Sequence, residues 1–521
     1  MAAHGFAYEH LRHVDAHKLL EHLGDFSLYE MTNFCIVQTF NFYYAAALFV
    51  MSFIEEDPHL LCIPHNSSIK VQKDQCTLNI NGVTERCDYS DKATLYVVNK
   101  GPVDSIFPSF GLLCSNGLVK EFGLTFFTIG AFTMVPFLSA ASDRFGRKTV
   151  VLICISVSAF ANLLVYIVND AYTFWILRFI IGASSDGYMT ISGIQSSELV
   201  AQDVRDWYGL MYNIYWTAGL LYTALLSLVV RDWRVFYLLA SLPAVFIFPL
   251  YAIWLPETPH WLVEHRKLHQ LGDYIRASER YCGRKVDLNK CLKSEKRKKI
   301  VRNTKSPLIQ IFEALRSNRK FMFQMMINGY IQFVIALFYF TVTLESTSLT
   351  SDGFTGFALS AGIELPGGIL TLPAAKFFGR KTIVWSMLCL QGLFIALYPF
   401  LPYPWLAISF NLISKVFNGL VYSTHPLLLT EMIPTGMRTA MYSLVNIPQS
   451  FGIIAAPYLK YLQFGTTYAM YIILAVTSIV AGLLALFLPE TKGRRLPEEL
   501  NDVMSDYAED NSILEPLKDS K

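Results

Sequence analysis

The sequence predicts an all-α membrane protein with twelve transmembrane helices in two pseudo-symmetric six-helix bundles. The first observation is composition: of 521 residues, 53% are hydrophobic and only 16% are charged, and the mean hydropathy is +0.36. The second is a series of apolar runs of about twenty residues, the length at which a helix crosses a bilayer. The third is an internal repeat, which indicates that a six-helix unit was duplicated.

The repeat is carried by a basic turn between two apolar runs. Asp143-Arg144-Phe145-Gly146-Arg147-Lys148 recurs as Lys376-Phe377-Phe378-Gly379-Arg380-Lys381, and the two glycines are 233 residues apart (379 − 146). Three further matches share this offset: Glu198 with Glu431, Arg205 with Arg438, and Pro256-Glu257-Thr258 with Pro489-Glu490-Thr491. Because Lys and Arg resist translocation, we expect both basic turns on the cytoplasmic side of the membrane.

The predicted elements follow in chain order. Residues 1–28 form a cytoplasmic arm, whose short amphipathic stretch Leu19–Leu23 could lie at the membrane interface. No cleavable signal peptide is visible in this arm. The first bundle covers 29–256, with spans near 30–54, 120–141, 149–168, 171–193, 208–230 and 234–254. The second covers 320–490, with spans near 321–344, 354–376, 382–401, 404–428, 441–462 and 467–488.

Polar segments separate and flank the bundles. Residues 257–319 form a basic cytoplasmic linker, and its run Lys296-Arg297-Lys298-Lys299 is interpreted as a solvated face near anionic lipid rather than a specific partner site. The tail 491–521 is acidic and polar, and we expect it to be disordered. An even number of spans places both termini in the cytoplasm.

The loop 55–119 is predicted to be extracellular. It holds Cys62, Cys76, Cys87 and Cys114, which predict two disulfides with three possible connectivities. Its single sequon begins at Asn66 and predicts a glycan there. Disulfides and glycans both require the outer side, in agreement with a cytoplasmic basic turn one span later.

These motifs resemble those of the organic-ion transporter family of the major facilitator superfamily, whose members carry organic cations, anions and zwitterions. Besides the basic turns, the resemblance rests on segments throughout the chain: Leu20-Glu21-His22-Leu23-Gly24-Asp25-Phe26, Trp233-Arg234, Ser241-Leu242-Pro243, Pro256-Glu257-Thr258-Pro259-His260-Trp261-Leu262, Glu364-Leu365-Pro366 and Pro489-Glu490-Thr491-Lys492-Gly493. The resemblance implies two six-helix bundles around a central cavity and transport by alternating access. Internal repeats that rock around a midplane site support the same mechanism on physical grounds.

The basic turns have two possible roles. We expect them to pair with acids at inner helix ends, Glu198 and Glu431, and to hold the inner gate shut until it opens. The predicted gating residues are Asp143, Arg144, Gly146, Arg147, Lys148, Glu198, Arg205, Gly379, Arg380, Lys381, Glu431 and Arg438. The alternative is that these charges only anchor the topology.

Five ionisable residues stand out inside the predicted spans, where a charge at mid-bilayer costs about 2.5–3.5 kcal/mol on insertion scales. They are Glu121, Arg178, Asp186, Glu364 and Lys415. Arg178 and Lys415 each precede a Gly by four residues, and their offset of 237 (415 − 178) predicts a small length difference between the halves. For Asp186 three partners stay open: Lys415, a bound cation, or its own proton.

The substrate charge is read from these acids. At Ser450, a span-11 position that is often acidic or basic in the family, this chain is neutral. With Glu121 and Glu364 adding to Asp186, the cavity is predicted to be acidic and to prefer cations or zwitterions. Aromatic and amide side chains would complete the site, although each could instead serve packing: Tyr212, Asn213, Tyr215, Trp216, Tyr330, Gln332, Asn446 and Gln449.

The predicted function is a secondary transporter of small organic ions in the plasma membrane. The alternatives are an organic-anion or sugar carrier of the same fold, or a transport-dead receptor. No nucleophile elbow, zinc-protease motif or phosphate-binding loop is present, so we predict neither an enzyme nor a cofactor or metal site. The net charge of +2 does not favour nucleic acid as a partner. The expected partners are a small organic solute and the lipid bilayer.

Overall fold

Each of the twelve predicted spans contains a helix within the residues that the structure describes. The computed structural model describes residues 11, 14–23, 28–64, 72–73, 76–80, 83–86, 93–98, 101–200, 208–282, 291, 311, 313, 315–316, 318–433, 438–462 and 468–492. In the first half the helices are α1 (Ala16–Leu23), α2 (Leu28–Phe49), α3 (Met51–Ile54), α4 (Gly117–Lys120), α5 (Phe122–Phe145), α6 (Arg147–Val165), α7 (Ala171–Leu199), α8 (Tyr208–Val229), α9 (Trp233–Trp254), α10 (Pro259–Glu264) and α11 (Leu268–Cys282).

The second half repeats this order of spans. Its helices are α12 (Arg319–Leu344), α13 (Gly353–Gly362), α14 (Glu364–Phe377), α15 (Arg380–Leu397), α16 (Pro404–Met432), α17 (Arg438–Ala455) and α18 (Ala469–Ala485). Short 3-10 segments cover Glu345–Ser348, Tyr398–Phe400 and Ala456–Tyr461. Predicted spans 1 and 8 are therefore each divided, into α2 with α3 and into α13 with α14.

Seven segments of the described residues are both long and apolar enough to cross a membrane. They are Leu28–Ile54, Phe122–Phe145, Arg147–Val165, Trp233–Trp254, Arg319–Ser348, Gly353–Phe377 and Arg380–Phe400. A shorter apolar helix covers Ala469–Ala485. The other four predicted spans hold α7, α8, α16 and α17.

The chain folds into two compact units. Unit 1 is Met1–Lys296 with Thr343–Gly362, and unit 2 is Arg297–Val342 with Ile363–Lys521. The segment 343–362 belongs to the second repeat by sequence and to unit 1 by packing. The domain bounds expected from the sequence stay a prediction.

The two repeats are in register, which corrects one expectation. Helix α7 and helix α16 both contain 29 residues, and both their first and their last residues are 233 apart (404 − 171 and 432 − 199). The predicted length difference between the halves is therefore wrong. Lys415 corresponds to Gly182 (415 − 233), and Arg178 corresponds to Asn411 (178 + 233). A four-residue shift is about one helical turn and keeps the same helix face, so spacing alone could not distinguish a shift from an insertion.

The long loop contains short strands that the sequence analysis does not predict. They are β1 (His59–Pro64), β2 (Gln72–Lys73), β3 (Thr77–Ile80), β4 (Val83–Arg86) and β5 (Ala93–Val98). Strand β1 pairs antiparallel with β2 and β5, and β3 forms a hairpin with β4.

One disulfide of the long loop lies within the described residues. Cys76 and Cys114 are bonded, with their Cα atoms 5.7 Å apart. Cys62 lies in β1. Cys87 and Asn66 lie outside the described residues, so the second disulfide and the glycan stay predictions.

The N-terminal helix α1 packs against protein. Leu19 and Leu20 are buried, α1 contacts α10, and the backbone N–H of Asp15 donates to the carbonyl of Cys291 at 2.8 Å. The expectation that this amphipathic stretch lies at the membrane interface is therefore wrong. The segments that follow span 6 cover the apolar face of α1. The leucines on this face are therefore buried by protein instead of by lipid.

Candidate functional site

Asp186 is the centre of a cluster of one acid and three aromatic rings in unit 1. The residue is half-buried on α7, and its carboxylate interacts with the hydroxyl of Tyr44 on α2. The Tyr44 ring lies 5.8 Å from Trp216 on α8, and Trp216 stacks on Tyr212 with centroids 5.6 Å apart and planes 19° apart. We call Tyr44, Asp186, Tyr212 and Trp216 the acid–aromatic cluster.

The cluster joins two kinds of group that attract cations. A carboxylate supplies charge, and the faces of Trp and Tyr attract an ammonium or guanidinium through the ring quadrupole. Tyr44 is a neutral group, so its hydroxyl beside Asp186 does not cancel the charge of the carboxylate. Tyr44 is not among the site residues expected from the sequence, because its distance along the chain from Asp186 gives no sign that they meet.

The second charged group is the Glu364–Lys415 pair of unit 2. Lys415 Nζ lies 2.7 Å from Glu364 Oε1, and the Tyr339 hydroxyl donates to the same oxygen at 2.9 Å. Lys415 Nζ also lies 5.2 Å from the centre of the Tyr339 ring. The side chains of Lys415 and Glu364 are 1% and 10% exposed.

This pair corrects two sequence-based expectations. Lys415 is one of the three partners left open for Asp186, but it is engaged by Glu364, and the partner found for Asp186 is Tyr44. Glu364 is expected from the sequence to add negative charge to the cavity, but Lys415 neutralises it. Glu121 is buried at the start of α5. Tyr339 is not singled out by the sequence, since one aromatic among many on a span carries no distinguishing pattern.

Other predicted site residues of unit 2 contact one another. Gln332 Nε2 donates to Asn446 Oδ1 at 2.8 Å, and Gln449 Nε2 donates to the hydroxyl of Tyr422. The Tyr422 ring lies 5.9 Å from Tyr339, so this polar network adjoins the Glu364–Lys415 pair.

The remaining predicted residues are placed singly. Tyr330 stacks on Phe333, with ring centroids 6.4 Å apart, and Ser450 is half-buried on α17. In unit 1, Asn213 Nδ2 donates to the carbonyl of Gly209 on its own helix at 2.9 Å. Tyr215 lies close to Cys35.

The first basic turn forms a compact ion cluster. Arg147 holds Glu198 with two hydrogen bonds of 3.1 and 3.2 Å, and its Nη2 also lies 3.0 Å from Asp143 Oδ1. Thr258 Oγ1 donates to Glu198 at 2.7 Å. Gly146 has φ = 102°, a left-handed conformation that favours glycine and makes the tight turn between α5 and α6 possible. The pairing of Arg147 with Glu198 agrees with the sequence-based expectation.

Glu257 caps the helix that follows this turn. Its Oε1 accepts the backbone N–H groups of Arg147 at 3.0 Å and Lys148 at 3.2 Å, where the positive end of the α6 dipole favours an anion. Burial raises the pKa of the Glu257 carboxyl, and the backbone N–H donors of Lys148, Thr258 and Arg147 oppose that rise. The sequence shows Glu257 only as part of a repeated motif, although its 233-residue match with Glu490 is a signal for this role.

The second repeat has the same arrangement within unit 2. The backbone N–H of Arg380 donates to Glu490 Oε1 at 2.8 Å, and Arg380 Nε lies 3.6 Å from Glu431 Oε2. Thr491 Oγ1 donates to Glu431, as Thr258 does to Glu198. Each unit therefore holds its own copy of the ion cluster.

The other motif residues are placed as follows. The Arg144 guanidinium lies 5.3 Å from the Phe145 ring, and Gly379 and Lys381 flank the start of α15. Arg438 begins α17. Arg205 lies outside the described residues.

Arg178 is held by backbone carbonyls. It is fully buried, with Nη1 3.2 Å from the carbonyl of Ala47 and Nε 3.3 Å from that of Gly123. Its guanidinium lies 4.7 Å from the Phe127 ring. Arg178 thus ties α2, α5 and α7 together in unit 1. Within the described residues, no group of three His, Cys, Asp or Glu side chains could hold a metal ion.

Comparisons with known proteins agree on one family. The sequence model of the Major Facilitator Superfamily matches residues 105–457. A candidate transporter of Caenorhabditis elegans is 32% identical to this chain, over 98% of this chain and 88% of that protein. Organic cation transporter 1 of the same organism is 26% identical, over 80% of this chain and 72% of that protein. The inward-open structure of the xylose transporter XylE from E. coli covers 91% of this chain and 99% of its own, with a TM-score of 0.60 and 15% identity, a likeness of fold alone.

Proposed function

The chain belongs to the Major Facilitator Superfamily and is a transporter homologous to organic cation transporters, and from that premise we propose that it carries small organic cations or zwitterions across the plasma membrane. Transport by alternating access needs two repeats that can move against each other around a substrate site. The in-register helices α7 and α16 are consistent with such a duplicated unit.

The observation that carries the substrate class is the acid–aromatic cluster. Asp186 presents a carboxylate beside Tyr44, Tyr212 and Trp216, which is the chemistry that a quaternary or protonated amine requires. The acid of unit 2, Glu364, is already neutralised by Lys415. Asp186 is therefore the acid we propose to bind the cationic group of the substrate.

The two ion clusters at the basic turns are the proposed gating elements. A charge cluster that stabilises one conformation changes the rate of the cycle more than the affinity for the solute. Because Glu198 and Glu431 each form an ion pair with an Arg and accept a hydrogen bond from a Thr, we propose that the clusters act as a pair on the inner side. The proposed orientation has both termini in the cytoplasm and the loop 55–119 outside. The Cys76–Cys114 disulfide supports it, since disulfides persist in oxidising compartments.

Uptake measurements test the substrate class. We expect cells expressing the protein to take up labelled tetraethylammonium or betaine in preference to a labelled organic anion or sugar. Collapsing the membrane potential should slow uptake of the cation, because a net positive charge crosses the membrane. Asp186→Asn should reduce cation uptake about 10- to 100-fold. This is the factor that corresponds to losing about 1.5–3 kcal/mol, the contribution of a hydrogen bond to a charged group.

The matched control is Asp273→Asn, because Asp273 lies exposed on α11 and the chemical change is identical. Dominant uptake of the anion or the sugar would contradict the proposal, as would cation uptake that Asp186→Asn leaves unchanged. Binding of the cation to purified protein without flux in proteoliposomes would instead indicate a transport-dead receptor.

A further inference from the structure

Span 8 is broken into two helices at a point where its counterpart in the first repeat is continuous. Helix α13 ends at Gly362, α14 begins at Glu364, and α5 runs without interruption through the equivalent positions. Pro366 has no backbone N–H to donate to the carbonyl of Gly362, four residues earlier. Gly is also a poor helix former, so Gly362 and Pro366 weaken the helix within the same turn.

The first piece of span 8 is anchored in unit 1. We call residues 343–362 the span 7–8 hairpin, and all of it packs as part of that unit. Phe357, 1% exposed, packs with its ring centroid 4.9 Å from Phe53 and 6.4 Å from Phe49. Ser346 of the same hairpin is fully buried. Aromatic packing therefore helps to hold the hairpin in unit 1.

The second piece is anchored in unit 2 by charge. Glu364, the first residue of α14, binds Lys415 of α16 at 2.7 Å. The equivalent contact in the first repeat is different. Glu364 and Lys415 correspond to Ala131 and Gly182 (364 − 233 and 415 − 233), and the backbone of α7 at Gly182 lies against the backbone of α5 at Phe127. The break thus separates one piece held by rings from another held by an ion pair.

We propose that Gly362 and Ile363 form a hinge about which the span 7–8 hairpin swings during transport, so that Phe357 leaves Phe49 and Phe53. This rests on the proposed alternating access. Two helical pieces that belong to different compact units need a joint of few residues to absorb a change in φ and ψ. Gly362 supplies the conformational freedom, and Pro366 removes one backbone hydrogen bond that would otherwise cross the joint.

The first experiment stiffens the joint. Gly362 has a helical conformation here, and a Cβ added to it meets no atom within 4 Å, so Gly362→Ala brings no clash. Ala favours the helical conformation by about 1 kcal/mol relative to Gly. In the variant, residue 362 should therefore leave the helical conformation about 5-fold less often. The matched control is Gly419→Ala, inside α16, where an added Cβ also meets nothing within 4 Å.

The readout needs no substrate. Ser346→Cys places a thiol on the buried face of the hairpin, and a charged methanethiosulfonate reagent labels it in the full-length protein purified in detergent. Site-resolved mass spectrometry then separates this thiol from the protein's own cysteines. We expect Gly362→Ala to slow labelling about 5-fold and Gly419→Ala to leave the rate unchanged. Equal labelling of Gly362→Ala and the parent, or equal slowing by Gly419→Ala, would overturn the hinge.

The second experiment releases the hairpin. Phe357→Ala should speed labelling of Ser346→Cys at least several-fold, while Cys154, buried on α6, stays unlabelled. Labelling of Cys154 together with the reporter would indicate general unfolding and would overturn the assignment, as would an unchanged rate. Uptake of labelled tetraethylammonium is measured in parallel. Failure of all uptake would contradict the proposed function, whereas the labelling rates decide the hinge by themselves.

Discussion

Replacing Lys415 by Met removes the cation from a nearly buried ion pair and leaves the Glu364 carboxylate behind. At 2.7 Å the attraction is about 6 kcal/mol at an effective dielectric constant of about 20, and the cost of removing both ions from water opposes it. Loss of one partner of a buried pair typically costs about 3–5 kcal/mol, because the other charge stays buried without compensation. We expect a cost of that size for Lys415→Met, since Met keeps the length and apolar volume of the side chain.

The double-mutant cycle isolates the pair. Glu364→Gln keeps the shape of the side chain and an oxygen that can accept from Tyr339. Each single substitution should lower the free energy of unfolding, measured by thermal unfolding of purified protein in detergent. The double substitution should recover much of the loss, because two neutral side chains leave no buried charge. Lys376→Met, the same change at an exposed position of α14, should have little effect.

The refuting result is additivity. If the double variant loses the sum of the two single losses, the charges are not coupled, and each side chain contributes only through its own packing. A Lys415→Met variant as stable as the parent would also contradict the calculation. Either outcome would make Glu364 a second candidate for binding the cationic group of the substrate. It would then weaken the proposal that Asp186 is the acid that does so.

Three further predictions concern topology, gating and the loop. Asn66→Gln should remove a glycosidase-sensitive shift in mass, and a parent protein without such a shift in a eukaryotic host would leave the orientation resting on charge bias. Arg147→Ala should lower the transport rate more than solute affinity, because in the proposed gating role its pairing with Glu198 stabilises a conformation of the protein; an unchanged rate in a folded variant would make these residues topology anchors only. Cys114→Ala should lower stability by about 2–4 kcal/mol through loss of its bond to Cys76, and an unfolding midpoint equal to the parent's would contradict this.

Several features could be predicted from the sequence because they depend on local physics. Spanning helices need long apolar runs, and a bilayer leaves the backbone few alternatives, so twelve runs were enough to place twelve spans. The duplicated basic turn located both ion clusters, because the acidic partners of the turn repeat at the same offset as the turn itself. The pairing of Arg147 with Glu198 followed from this repeat. The family resemblance came from the same motifs.

The depth and partner of each membrane charge were decided only by the tertiary structure. Helical periodicity indicates the face on which a residue lies, but a shift of one turn preserves that face, so spacing aligns Lys415 with Arg178 instead of Gly182. The partners of Asp186 and Glu364 come from other helices, and packing alone brings Tyr44 and Lys415 to them. Sequence by itself determined which charges the membrane must accommodate. Helix packing decided that Lys415 pairs with Glu364 and that Tyr44 lies beside Asp186, because such contacts depend on distances of a few ångströms that spacing along the chain does not give.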